Sequence, residues 1–129
     1  MLLDHIGIQV SDLPRALAFY EKALAPLGVS VLMTLNPEVS GGRKVVGLGR
    51  DGKPEFWIGE GESTVPAIHL AFAAPDRGTV DAFHEAAIAA GGIDNGRPGL
   101  RPEYYPNYYG AFVLDPDGHN IEAVCHRPE

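Results

Sequence analysis

The chain has one cysteine, Cys125, among its 129 residues. An internal disulfide framework is therefore excluded, and this cysteine usage is typical of a reducing compartment. No apolar run approaches the roughly 20 residues that a membrane-spanning helix needs. The amino terminus, MLLDHIG, has neither a basic region nor a long apolar segment, so no signal peptide is expected. These absences favour a cytoplasmic protein with no membrane partner.

Positive charge is also scarce, because 10 Lys and Arg residues stand against 17 Asp and Glu residues, for a formal net charge of -7. This balance offers no electrostatic surface for nucleic acid or for an anionic membrane, so we expect small molecules as partners. Hydrophobic residues make up 45% of the chain, which is enough to bury one core. The length predicts a single domain over residues 1–129.

The sequence repeats itself at a constant offset, which pairs His5 with His69, Asp12 with Asp76, Phe19 with Phe83 and Glu21 with Glu85. A duplicated unit explains this pattern, with repeat one at about residues 1–60 and repeat two at about 65–126. If the two units pack about a two-fold axis, the two histidines can face one point from opposite sides. That arrangement suggests a metal site.

Each repeat is predicted to run strand, helix, strand, strand, strand. Apolar alternation predicts a first strand over 2–10, and an apolar stripe predicts a helix from Ser11 or Asp12 to about Ala25. The further predicted strands cover 29–35, 43–48 and 55–58, then 67–73, 109–114 and 120–125, with a second helix from about 75 to 90. Residues 92–110 are rich in proline and glycine, so they permit at most a broken edge strand and are interpreted as a long functional loop.

These units predict an α+β fold in which two βαβββ repeats form a curved mixed sheet with an open concave trough and helices on the outer face. Each helix covers the side of its first strand that carries the large apolar residues. The opposite side lines the trough, where Gly7 and Ala71 leave room for a ligand. By the alternation of strand side chains, His5 and His69 point into this trough.

Three motifs carry a family resemblance: the opening His-x-x-x-x-V-x-D, the FYEKAL ending of the first helix, and F-x-x-D-P-D-G-H-x-I-E from Phe112 to Glu122. They resemble the vicinal oxygen chelate superfamily, which includes glyoxalase I, fosfomycin resistance proteins, bleomycin-binding proteins and extradiol dioxygenases. The resemblance implies metal ligands at His5, His69 and Glu122 and a divalent Zn, Ni, Mn or Fe ion. It also implies a homodimer, and leaves open whether one site draws on one chain or two.

The residue types are consistent with that ligand set. Two imidazoles and one carboxylate form an open facial set that keeps free positions for a substrate. Glu122 alternates with Ile121 and Ala123, so its side chain is predicted to enter the trough, where a divalent ion would neutralise its charge. The implied function is a metal-dependent lyase, isomerase or dioxygenase whose substrate chelates the ion through adjacent oxygens, with Glu122 as a catalytic candidate. The alternative is a metal-free binding protein of the bleomycin-resistance type.

A fourth ligand is a separate question. Glyoxalase I enzymes of this superfamily take a carboxylate from the internal counterpart of Glu122. Aligning Asp51-Gly52 with the later Asp-Gly pair places Phe56 there, with Glu55 pointing to the other side. A one-residue slip would make Glu55 a ligand instead. The sequence favours three ligands, which argues against a standard glyoxalase.

Further residues are predicted to line the substrate pocket, and they are Gln9, Phe56, Arg101, Tyr105, Tyr108 and Tyr109. The tyrosines suit an aromatic wall, and Tyr109 is also a catalytic candidate, although ordinary packing is an alternative. Arg101 suits an anionic substrate group, although a solvated surface arginine is an alternative. His84 and His119 are not expected to be ligands, His126 is kept as a reserve, and Cys125 is expected in the core.

Overall fold

The structure is a computed structural model that describes residues 2–129. Repeat one contains β1 (Ile6–Val10), α1 (Leu13–Leu24), β2 (Ser30–Leu35), α2 (Pro37–Ser40), β3 (Val45–Arg50) and β4 (Lys53–Glu60). Repeat two contains β5 (His69–Ala73), α3 (Arg77–Ala89), β6 (Ile93–Leu100), β7 (Tyr109–Leu114) and β8 (Asn120–Cys125). The predicted α+β fold of two βαβββ units is confirmed, and the short α2 is an addition between the predicted strands 29–35 and 43–48.

Each repeat forms its own four-stranded mixed sheet. The first sheet has the strand order β1-β4-β3-β2, and the second has the equivalent order β5-β8-β7-β6. In both sheets the first strand of the repeat runs parallel to the last, and the other neighbours are antiparallel. The predicted mixed sheet is thus divided in two, with the equivalent strands β1 and β5 each at one edge.

The two long helices lie on one side of their sheets and pack against each other. Asp12 caps α1 by accepting a hydrogen bond from the backbone N–H of Arg15, and Asp76 caps α3 by accepting one from that of Thr79. Both helices bury an apolar stripe in the shared core. The face of each sheet away from the helices is therefore open, as the predicted trough requires. Among residues 2–129, no helix has the length and apolar content needed to cross a bilayer.

The D-P-D-G-H turn between β7 and β8 holds the two repeats together by hydrogen bonds. Asp115 is buried, and its Oδ2 accepts a 2.5 Å hydrogen bond from the hydroxyl of Tyr20 in α1. Its Oδ1 accepts from the backbone N–H groups of Asp117 and His119 at 2.9 and 2.8 Å. The Nδ1 atom of His119 accepts from the N–H of Ile68, just before β5. The most diagnostic motif of the sequence thus has a structural role here.

The segment 92–110 differs from its prediction over its first half. Residues Ile93–Leu100 form β6, an edge strand whose pairing with β7 shifts register on both sides of Gly96. The interpretation as one long loop is wrong for these residues, whereas the broken edge strand is what the chain forms. Pro98 is tolerated because an edge strand has one side that needs no partner. The irregular part is reduced to residues 101–108.

Candidate functional site

Glu122 is the buried charge of the open face in repeat two. It lies on β8 between Ala71 of β5 and Phe112 of β7, and its side chain is 1% exposed. Its Oε1 lies 3.0 Å from Nε2 of His69, and its Oε2 accepts a hydrogen bond from the hydroxyl of Tyr108. Burying a carboxylate demands such partners, because water cannot reach it. The structure therefore brings together two of the three predicted metal ligands, His69 and Glu122.

The ring of His69 has an oxygen atom next to each nitrogen. Nδ1 lies 3.1 Å from the carbonyl oxygen of Asn120, which can only accept a hydrogen bond. A proton on Nδ1 satisfies that carbonyl, and Nε2 then presents a lone pair to Oε1 of Glu122. Two electron pairs that face each other at 3.0 Å need a proton or a cation between or beside them. This donor set fits a divalent ion, and the Asn120 carbonyl fixes the ring as outer-shell partners of metal-bound histidines do.

Tyr108 has a more specific position than the sequence indicated. Burial, followed by its hydrogen bond to Glu122 and the charge of that residue, raises the pKa of Tyr108 far above its ordinary value. The phenol therefore stays protonated and remains a donor to the carboxylate. Its ring also contacts Tyr104, Tyr105 and His126. The sequence predicted Tyr108 in the pocket but gave no signal for this contact, because the partners lie on different elements.

His5 stands apart from the other two predicted ligands. Its ring is exposed, and Nδ1 lies 2.8 Å from the carboxylate of Asp4. It borders a cavity of about 130 Å³ together with Glu55 and Ala71. Within residues 2–129, no three His, Cys, Asp or Glu side chains are grouped so as to hold a metal ion. A single chain thus presents His5 just before β1 of the first sheet, and the pair of His69 and Glu122 on the second sheet.

The internal counterpart of Glu122 is Trp57. The parallel pairing of β1 with β4 places Gly7 beside Trp57, just as the pairing of β5 with β8 places Ala71 beside Glu122. The sequence alignment predicts Phe56 at this position, with Glu55 as the alternative, and the observed strand register shows that both are wrong. The reason is a β-bulge: β3 pairs with Phe56 and then with Pro54, which leaves Glu55 unpaired and adds one residue to β4.

Two of the predicted pocket residues lie on the helix-covered face instead of in the trough. Phe56 is 2% exposed, and its ring packs against Tyr20 and Phe72. The hydroxyl of Tyr109 donates a 2.6 Å hydrogen bond to Asp81 of α3. Strand alternation explains both positions, because each neighbours a residue whose side chain faces the trough. The prediction that Phe56 and Tyr109 contact substrate is corrected accordingly.

Arg101 supports its own segment of backbone. Its Nη1 donates to the carbonyl oxygens of Gly99 and Gly110 at 2.6 and 2.8 Å, and its Nη2 donates to that of Arg97 at 2.7 Å. The guanidinium also lies over the ring of Phe112. These contacts use much of its donor capacity and hold the irregular segment 101–108 against the end of β6.

Of the remaining predicted residues, Gln9 and Tyr105 lie on the two open faces, and His84 and Cys125 lie elsewhere. Gln9 borders a groove on the first sheet, while Tyr105 is exposed and meets His126 edge to face. His84 pairs with Asp94 on the helix side, at 2.9 Å. Cys125 is a free, buried thiol of the core. The predicted wall of tyrosines is thus confined to the second sheet.

Comparisons with known proteins agree with this fold. A family model described as the Glyoxalase/Bleomycin resistance protein/Dioxygenase superfamily matches residues 2–123. A glyoxalase/bleomycin resistance protein from Albidiferax ferrireducens T118 is 25% identical, with a TM-score of 0.74, over 98% of this chain and 100% of the other. A glyoxalase I mutant from Zea mays is 26% identical, with a TM-score of 0.70, over 95% of this chain and 46% of the other.

A third similar structure carries ligands. It is a mutant of the fosfomycin resistance protein FosX from Listeria monocytogenes, complexed with Mn(II) and 1S,2S-dihydroxypropylphosphonic acid. It is 22% identical, with a TM-score of 0.69, over 98% of this chain and 95% of the other, so it shares the fold. No curated protein sequence matches the chain significantly.

Proposed function

Because the chain belongs to the glyoxalase/bleomycin resistance protein/dioxygenase superfamily, we propose that it is a metal-dependent enzyme whose small substrate chelates the metal through adjacent oxygens. The observation that carries this proposal is the pair formed by Nε2 of His69 and Oε1 of Glu122, 3.0 Å apart on an open face. The FosX structure with Mn(II) shows that a protein of this fold accepts such an ion. The reaction would be of the lyase, isomerase or dioxygenase type.

The third ligand, His5, would come from a second copy of the chain. Both long helices lie behind their sheets, so within residues 2–129 no second layer of helix or sheet packs on the open faces. If two copies pair so that the first sheet of one faces the second sheet of the other, His5 meets the His69 and Glu122 pair. A homodimer would then contain two such sites, related by its two-fold axis.

A divalent ion in this site would supply Lewis-acid stabilisation of negative charge that develops on the substrate oxygens. The residues of the chain would prepare the site for it. The Asn120 carbonyl fixes the tautomer and orientation of His69, and Tyr108 holds one oxygen of Glu122 so that the other stays directed at His69. Ala71 beside Glu122 leaves room for a substrate next to the ligands.

The first test is the metal content per chain after reconstitution with Zn, Ni, Mn and Fe. We expect about one equivalent in the wild type and a loss of more than tenfold in His5→Ala, His69→Ala and Glu122→Gln. His84→Ala is the matched control, because this histidine also pairs with a carboxylate but lies on the helix side. A wild type that retains less than about a tenth of an equivalent would leave metal-free binding of a small molecule as the function.

The second test asks whether the site spans two chains. His5→Ala and His69→Ala chains are refolded together, so that mixed dimers form. If one site uses His5 of one chain and His69 of its partner, each mixed dimer regains one intact site, or about one metal for every four chains in a random mixture. If all three ligands come from one chain, the mixture binds no more metal than the separate variants.

A further inference from the structure

The open face of the first sheet carries an indole where that of the second sheet carries a carboxylate. Trp57 and Glu122 occupy equivalent positions, each beside a small residue of the neighbouring parallel strand, Gly7 and Ala71 respectively. If the first sheet of one copy faces the second sheet of its partner about a pseudo-two-fold axis that relates the two repeats, equivalent positions lie opposite one another. The indole would then border the proposed metal site from the side that lacks a fourth ligand.

The ring of Trp57 is held in place by the strand beneath it. Trp57 pairs with Gly47 of β3, and a Cβ atom at Gly47 would lie 2.8 Å from Cζ3 and 2.9 Å from Cη2 of the indole. It would also lie 3.0 Å from Cβ of Pro54. Only glycine leaves the space that this ring occupies. One side of the six-membered ring is therefore packed on β3.

The groove beside the indole is large enough to take a small organic ring. Its volume is about 290 Å³, whereas an apolar cavity of about 150 Å³ already accepts benzene. Gly7 and Gly59 contribute no side-chain bulk to its floor, and Gln9, Arg43 and Thr64 add polar groups at its border. An aromatic ring bounding such a space favours planar groups, because stacked and edge-to-face ring contacts add to the burial of apolar area.

We propose that Trp57 is a specificity-determining residue that stacks against a planar, aromatic or conjugated part of the substrate. This inference rests on the proposed function, because it takes the adjacent oxygens of the same substrate to be held at the metal site. The substrate class is therefore a compound with two neighbouring oxygens attached to a flat ring. A saturated ring of equal size would fill the groove with poorer contact to the indole.

The test uses two chelators with the same oxygen pair, benzohydroxamic acid and cyclohexanecarbohydroxamic acid. The chain has one tryptophan, so quenching of its fluorescence reports ligand contact with Trp57 directly. Affinities are measured by isothermal titration calorimetry, which also works for Trp57→Leu, a variant without tryptophan. We expect the metal-loaded wild type to bind the planar ring about threefold to tenfold more tightly, with saturable quenching. In Trp57→Leu this preference is expected to disappear, while metal content and the affinity for the saturated ring change little.

Gly47→Ala provides a second variant that keeps the tryptophan but displaces its ring, so it should also remove the preference. Equal weakening of both chelators in Trp57→Leu, or no change in tryptophan fluorescence on binding, would overturn the proposal. If the chain takes up no metal, the proposed function fails, and the ring preference is then measured separately with benzamide and cyclohexanecarboxamide. Preference for benzamide that depends on Trp57 supports the stacking role, and its absence refutes that role.

Discussion

Replacing Tyr108 with phenylalanine removes one hydroxyl and tests how the buried carboxylate is held. Glu122 is 1% exposed and its Oε2 accepts the Tyr108 hydrogen bond, so water has little access to replace the lost donor. A hydrogen bond to a charged group contributes about 1.5–3 kcal/mol, and an unsatisfied buried acceptor adds to the loss. For a domain of this size, the melting temperature of metal-free Tyr108→Phe should fall by about 5–15 °C.

The assays are thermal and urea unfolding of the metal-free protein, followed by metal titration of the folded protein. Tyr104→Phe is the matched control, because it removes a hydroxyl from an exposed tyrosine of the same segment and should change the free energy of unfolding by less than about 0.5 kcal/mol. Loss of the Tyr108 hydroxyl should also weaken metal binding about tenfold or more, as outer-shell changes do. Equal stability of the two variants would refute the argument, because Glu122 would then have another donor.

Three more predictions follow from particular contacts. Burial raises the pKa of Tyr20 well above the ordinary value of about 10. The protonated phenol therefore contributes its full stability below about pH 10, and this contribution falls as the pH rises further. In Tyr20→Phe the urea midpoint should decline less steeply at alkaline pH than in the wild type. Gly92→Ala should lower the free energy of unfolding by about 1–3 kcal/mol, because its Cβ would lie 2.4 Å from Cγ1 of the core residue Val113. Gly78→Ala in α3 is the control and should leave the free energy of unfolding unchanged or raise it in the same assay. In the proposed pairing of two copies, Trp57→Glu places a carboxylate opposite the Glu122 position, so release of metal to a chelator should slow at least about tenfold. Unchanged release would contradict the placement of Trp57 beside the metal site.

Much of the fold could be predicted because strand and helix periods are visible along the chain. The alternation of Ile6, Ile8 and Val10 is that of a strand covered on one side, and these residues do face the helices. Because the sequence repeats, the same alternation predicts that β5 is also a strand covered on one side. The division into two sheets could not be predicted in this way, because periodicity shows which face is apolar but not which edges are joined.

The site was predictable to the extent that single strands determine it. The alternation of strand side chains predicts that His69 and Glu122 lie on one face, and in the structure Nε2 of His69 lies 3.0 Å from Oε1 of Glu122. The contact from Tyr108 and the bracing of Arg101 depend on how segment 101–108 folds back over the sheet. Such contacts leave no periodic signal, because the segment is irregular and its hydrogen bonds join residues far apart in the sequence.

The error at Phe56 shows why one inserted residue matters so much for function. Strand side chains alternate with a period of two, so a one-residue shift moves every later side chain to the opposite face. Here the bulge at Glu55 lies between the β3–β4 turn and the part of β4 that faces the trough. It brings Trp57 to the position that Phe56 would otherwise have taken. Gly47 on the neighbouring strand then leaves space for the indole. Because of the bulge and Gly47, the two repeats differ chemically at equivalent positions: the first open face carries the indole of Trp57, and the second carries the buried carboxylate of Glu122.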